Sequence, residues 1–364
     1  MAYTTIDDPS AFFQTKIYTG TGSLNSLVND GNANLQPDWA WIKNRGQGWS
    51  NILFDSSRGT GKSLMSDSTD AEVTNNSRGY LSAFNTDGFT VGAGSAGSDQ
   101  VNTNAINYVA WQWKANGGTT ATNTDGAATA SGYNTTVQVN QTAGFSIVQW
   151  NAAFDQGNGR YNLGHGLGKI ADFIIIKNRS SSGDWYVHHK NIDDNDYLRL
   201  NHDDETTNTG SRYTFYRPAF TTSLFNVDYN NIVTQNHDYV AYVFATIQGY
   251  SQFGKYEGNG DDDGPFIYTG FKPAWLIVKR LDSANNWFII DTKRDDYQNP
   301  FADLLKADDA DAENANTARG DFLSNGFKWR VSPNAFNADG GQYIYAAFAE
   351  SPFVSSAGVP TTAK

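Results

Sequence analysis

The sequence has no cysteine among its 364 residues. Disulfides and thiolate metal sites are therefore excluded, and stability has to come from burial, backbone ladders or association. Basic charge is scarce as well: 26 Lys and Arg stand against 38 Asp and Glu, a formal net charge of −12. That balance works against binding a nucleic-acid backbone, which rewards clustered cations, and against an anionic membrane surface. No apolar run approaches the roughly 18 residues of a membrane span, and the opening "MAYTTIDDPSAFF" lacks the basic-then-apolar pattern of an export signal. A soluble product with no export signal of its own is expected. Glutamate is rare too, with only Glu72, Glu205, Glu257, Glu313 and Glu350. The acidic residues are thus mostly Asp, which prefers turns where Glu prefers helices, and a helix-rich fold is excluded.

What is abundant is Gly, at 35 residues, and aromatic side chains, at 14%. Short strands joined by turns suit this composition, so the fold class is all-β. The sequence also repeats itself. "WIKNR" (41–45) returns as "IIKNR" (175–179) and as "IVKR" (277–280), each followed by a tryptophan: Trp49, Trp185 and Trp287. Each copy closes on an apolar strand, "YVAWQWK" from Tyr108, "YVAYVFA" from Tyr239 and "YIYAAFA" from Tyr343. An aromatic strand and a Gly-x-Gly turn precede each copy, at Gly20/Gly22, Gly157/Gly159 and Gly258/Gly260.

Three tandem β-sandwich modules are expected, at 13–114, 145–245 and 250–349. A 1–12 N-terminal arm, a Gly/Thr/Asn-rich linker over 115–144 and a 350–364 tail complete the chain. Within the linker, "TTVQVN" alternates and reads as a strand. The apolar runs before each Lys read as central strands, with Lys-Asn-Arg carrying the chain into water. The module tryptophans are expected to pack on the core.

Several stretches imitate functional motifs. "SSRGTGKS" (56–63) approaches a phosphate-binding loop, but its first glycine position is Ser56 and the residues beyond Ser63 do not favour a helix. In the other copies the same slot has no Gly-Lys-Ser, so a variable surface loop is expected, with Asp55 matching Asp291 and Arg58 matching Arg294. "NGDDDG" (259–264) opens like a calcium loop, yet its twelfth position is Gly270 rather than a bidentate Glu. All five histidines, His165, His188, His189, His202 and His237, fall in the second module. His188 and His189 are adjacent on a strand and so face opposite ways, which keeps them from chelating one ion. Asp70 with Glu72, or Asp203, Asp204 and Glu205, offer carboxylates for glycoside cleavage, while solvated turns are the plainer reading. No catalytic, cofactor-binding or metal-binding residue is assigned, and no cofactor is expected.

The opening "MAYTTIDDPS", the repeated "IKNR", "VAWQWKANGG" (109–118), "GHGLG" (164–168), "IIIKNRSSSGDWYVHH" (174–189), "DFLSNGFKWR" (321–330) and the ending "YIYAAFAESPFVSSAGVP" (343–360) resemble a family of virion structural, tail-fibre-like proteins of marine tailed bacteriophages. The resemblance spans essentially the whole chain, and it implies a jelly-roll or lectin-like character for the β-sandwich modules. It implies a protein on the exterior of the virion, made in the host cytoplasm, that partners other virion proteins and forms a homo-oligomer, with a trimer favoured. As a tail fibre or appendage it would attach the particle to a host surface, including its polysaccharide, without nucleic acid or membrane as partner. A capsid decoration or head fibre with no host contact is the alternative, and a glycan depolymerase the second.

Overall fold

The structure, a computed structural model, describes residues 2–74, 77–95, 100–128, 132–153, 159–208, 214–228, 232–294, 299–315, 317–332 and 334–360. Among them there is no α-helix; the regular elements are β-strands and three short 3-10 turns, the first of which precedes the first strand. Gly157, of the second expected Gly-x-Gly turn, lies outside the described residues.

In the first copy the strands are β1 (Phe13–Thr19), β2 (Asn25–Leu27), β3 (Trp39–Asn44), β4 (Ile52–Asp55), β5 (Leu64–Met65), β6 (Tyr80–Phe84), β7 (Phe89–Gly92) and β8 (Asn107–Trp113). The linker contributes β9 (Ala121–Asn123), β10 (Gly132–Tyr133) and β11 (Thr135–Asn140). Next come β12 (Phe145–Asn151), β13 (Arg160–Gly164), β14 (Phe173–Asn178), β15 (Trp185–His189), β16 (Asp196–Arg199), β17 (Thr207–Asn208), β18 (Leu224–Asp228) and β19 (Asp238–Phe244). The last set is β20 (Ser251–Glu257), β21 (Phe266–Tyr268), β22 (Phe271–Arg280), β23 (Phe288–Asp291), β24 (Leu305–Lys306), β25 (Gly320–Leu323), β26 (Gly326–Trp329) and β27 (Gln342–Pro352).

One antiparallel order recurs in three large sheets: β1-β8-β3-β4-β5, β12-β19-β14-β15-β16 and β20-β27-β22-β23-β24. The middle one is widened by β11 and β9 at one edge and β17 at the other. Each large sheet carries a three-stranded partner on its outer face: β2-β7-β6, β10-β13-β18 and β21-β26-β25. The closing strands show why both faces are covered. Tyr108 and Ala110 enter the core shared with the small sheet. Val109, Trp111 and Trp113, one residue out of phase, enter a different cluster. Period-2 alternation puts these two sets on opposite faces, so a strand apolar at every position is buried twice.

That second cluster joins the three large sheets into one core. Trp39 stacks on Tyr242 at 4.3 Å, Trp113 meets Trp275 at 5.4 Å and Phe244 meets Phe348 at 5.6 Å, which links first to second, first to third and second to third. The sheets thus close around a common aromatic centre, where beads on a string would have kept separate cores. Each tyrosine that opens a closing strand fixes an outer corner: the hydroxyls of Tyr108, Tyr239 and Tyr343 accept from the backbone N–H of Thr103, Thr234 and Ala338.

Candidate functional site

The densest charge lies between the sheets. Lys43, Lys177 and Lys279 are fully buried, which overturns the expectation that Lys-Asn-Arg leads the chain into water. Alternation is the reason: Lys43 shares its strand face with Trp39 and Trp41, and that face looks into the common centre. Each Nζ donates to one carbonyl of its own copy and one of the preceding copy. Lys43 bonds Trp49 and Ala310, Lys177 bonds Gly183 and Thr69, and Lys279 bonds Asn285 and Asp203. Burial pushes each lysine down to about 8 against the pull of nearby carboxylates. First to third, second to first, third to second: the contact is head-to-tail and closes as a ring.

Two of the three junctions add a charged chain. Asp55 pairs with Arg58, both without exposure; Arg58 reaches Glu72, and Glu72 holds Arg179 of the second copy. Asp291 pairs with Arg294, Arg294 reaches Glu313, and Glu313 holds Arg45 of the first copy. Asp55 accepts from the Tyr242 hydroxyl at 2.7 Å and Asp291 from the Trp111 indole at 2.9 Å. The third junction has His189 in the Asp slot, with Nε2 3.2 Å from the Tyr345 carbonyl, and Ile192 in the Arg slot, buried in the common core. These carboxylates are all engaged by cations or ring donors, so the clusters hold sheets together. Of the carboxylates weighed for glycoside cleavage, Glu72 is taken by Arg58 and Arg179, and Asp204 by Arg199.

The tryptophan landmarks divide. Trp185 donates to the Met65 carbonyl and Trp287 to that of Arg199, each across a junction. The equivalent place in the first copy belongs to Asn51, which donates to Lys306, while Trp49 sits half-buried in the turn two residues earlier. Trp49 is thus a false equivalent. The phosphate-loop look-alike is a turn ending in β5, with no helix after it and with Arg58 buried in its junction. In the Asn259–Gly264 turn the polar groups serve the backbone: Asn259 Oδ1 accepts from Asp261 N, Asp261 Oδ1 from Asp263 N, and Asp263 pairs with Lys328. Gly258 and Gly260 shape this turn, because a Cβ on Gly258 would meet the Ala338 carbonyl and Gly260 has φ of +66°. His188 and His189 do face opposite cores, the former beside Phe215 and Phe220 and the latter beside Phe173. Among the described residues no group of His, Asp and Glu is placed to hold a metal ion.

Where the copies differ is a slot at the rim, between the fourth and fifth large-sheet strands and the small sheet. In the first copy it is lined by Ile52, Met65 and Arg78 and shrinks to about 10 Å³, with the Arg78 guanidinium against the Met65 sulfur. No more than a single water fits there. In the second copy Tyr186 and Tyr197 pack together in the same place, ring centroids 5.4 Å apart. In the third the slot opens to about 600 Å³, lined by Phe288, Leu304, Lys306, Asp311, Arg319 and Phe336 among others. Phe288 and Phe336 meet at 4.7 Å to form an aromatic wall, and the Arg319 guanidinium lies 5.5 Å from the Phe336 ring centroid. Arg319 has no ion pair among the described residues, its Nε is buried without a partner, and burial lowers its pKa. Lys306 is held by Asp309 and Asp311. The slot therefore offers an uncompensated guanidinium at an aromatic wall.

Neither the repeat landmarks nor the motif look-alikes point to Arg319. One signal does exist: Arg-Gly recurs at 78–79 and 319–320, just ahead of β6 and β25. A family model described as a domain of unknown function, DUF7483, matches residues 8–352. No curated protein matches the chain, and no solved structure does.

Proposed function

We propose that this chain, which belongs to the DUF7483 family of domains of unknown function, is a virion structural protein of a tailed bacteriophage that works in a tail fibre or related appendage and attaches the particle to acidic polysaccharide on the host surface. The observation that carries the attachment reading is the single opened rim slot. Three equivalent frames share one design, two fill the slot with their own side chains, and the third leaves a cavity with an unpaired arginine and an aromatic wall. A guanidinium pairs with the carboxylate of a uronate through two parallel bonds, and an aromatic ring packs on the apolar face of a sugar. The virion reading rests on the motif resemblance and on a junction-stitched ring of sheets suited to a particle's exterior. Other virion proteins would be its partners there. A trimer of this chain would assemble finished rings, because the central core is already closed within one chain.

Titration of the purified protein with alginate and with a neutral glucan tests the attachment. Binding to the acidic polymer alone is expected, weakened about tenfold in Arg319→Gln with the melting temperature unchanged. Equal binding by the variant, or none by the unaltered protein, removes this reading. Immunogold labelling tests the placement, with label on tail appendages expected and label confined to capsids assigning the protein to capsid decoration instead.

A further inference from the structure

The first strand of each large sheet lies at an edge of its own five-stranded set, and the first strand of the small sheet runs beside it. In the second copy both edges are covered by the linker. β10 pairs in parallel with β13, and β11 pairs antiparallel with β12, so that one short segment, 132–140, seals the gap between the two sheets. Its Gln138 side chain donates to the hydroxyls of Ser56 and Ser57, on the turn that follows β4.

In the first copy the chain narrows the gap without sealing it, leaving a pocket of about 310 Å³. Gln14 of β1 holds the 31–33 loop through Gly31 N and Ala33 O, and Lys293 pairs with Asp30 across the opening. In the third copy neither device is present among the described residues. β20 and β21 are both terminal strands, and between them lies a groove of about 420 Å³ that also touches Lys190 and Asn191. Asn191 occupies the place of Ser57, two residues past the end of β15 as Ser57 is past the end of β4. Its Oδ1 is buried with no hydrogen-bond partner. Phe266 and Tyr268 are 46% and 54% exposed beside it.

The register shows that the edge is prepared for pairing. Ala349 N donates to Tyr250 O and Gly258 N to Gly341 O, so even-numbered residues of β20 bond to β27. Phe253, Lys255 and Glu257 therefore aim their backbone groups at the groove. The same phase on β12 presents Phe145, Ile147 and Gln149, the residues that face β11. We infer that the β20–β21 groove is a docking site for an extended segment of another virion protein, added as an antiparallel strand to β20. Its chemistry follows from the segment seated in the second copy: a β-branched apolar residue directed inward as Val137 is, and a carboxamide whose N–H₂ satisfies Asn191 as Gln138 satisfies Ser57. An apolar neighbour would cover Phe266 and Tyr268. This inference is independent of the Arg319 slot.

The probe is a labelled synthetic peptide of residues 132–140, Gly-Tyr-Asn-Thr-Thr-Val-Gln-Val-Asn, titrated into the full chain by fluorescence polarisation. Saturable binding is expected, weakened about tenfold or more by Lys255→Pro, which removes an outward N–H at an edge where proline is tolerated. Phe266→Asp, on an exposed side chain, should weaken it as well and covers the case in which the proline variant fails to fold. A peptide with Leu in place of its Gln should bind less tightly than the parent. No saturation up to millimolar peptide, or equal binding by both protein variants, overturns the inference. So does a concentration-dependent dimer that Phe266→Asp abolishes, because the occupant would then be a second copy of this chain.

Discussion

Buried titratable side chains make the sharpest statements at the scale of single residues. Burial lowers His165 to about 4, His189 to about 3, and His188 well below its ordinary value. All three fold neutral, whereas the unfolded chain takes up protons below about pH 6.5. Stability is therefore fully present above pH 6.5 and falls as the pH drops, by up to about 1.4 kcal/mol per pH unit for each histidine until its folded pKa is reached. Asp308, raised by burial to about 6, acts with the opposite sign in part of that window, as do Asp38, Asp67 and Asp196, which burial also raises. His188 lies between Phe215 and Phe220 with Nε2 unpaired. His188→Leu is expected to change urea stability little at pH 7 and to gain about 2 kcal/mol over the unaltered protein at pH 5. An unchanged pH slope in the variant would show that His188 is protonated in the fold. The opposite facing of His188 and His189 was legible from strand alternation. Their burial was not, since alternation says which residues share a face and leaves open what lies against it.

At the scale of elements the three junctions solve one problem in two ways. Asp55–Arg58 and Asp291–Arg294 bury an ion pair, while the third junction buries His189 and Ile192. Breaking a buried pair from one side leaves an uncompensated charge, so Asp55→Asn should cost about 3–5 kcal/mol in urea unfolding. Replacing both residues by those of the second copy, Asp55→His with Arg58→Ile, should cost less than the single change. A double variant no more stable than the single one would show that Arg58 is held by Glu72 alone. Matching Asp55 with Asp291 was readable from the repeat, because the two stand at the same strand end. That their partners are Tyr242 and Trp111 from neighbouring copies was not, because nothing local to "FDSSR" or "IIDTKR" specifies the strand lying across them. Trp49 misleads for a related reason: the turn has the same span in all three copies, but in the first the tryptophan stands two residues ahead of the strand-opening slot, which Asn51 fills.

The whole molecule is governed by the shared aromatic centre. Since Trp39, Tyr242, Trp275 and Phe348 belong to one cluster, no copy can lose its sheet without exposing the faces of the other two. Calorimetry is expected to show one unfolding transition whose van't Hoff and calorimetric enthalpies agree. The fragment 145–245 should lack a cooperative transition of its own, and separate transitions for the copies would contradict a common core. By itself, the sequence determined the all-β class, the recurring landmarks and the alternation that marks apolar faces, because these depend on propensity and on a period of two residues. Only the tertiary structure decided that the large sheets close head-to-tail, that three lysines lie inside, and that the rim slot and the strand groove stand open in the third copy. Burial and closure are set by which distant surfaces meet, and a local pattern carries no information about the partner that covers it.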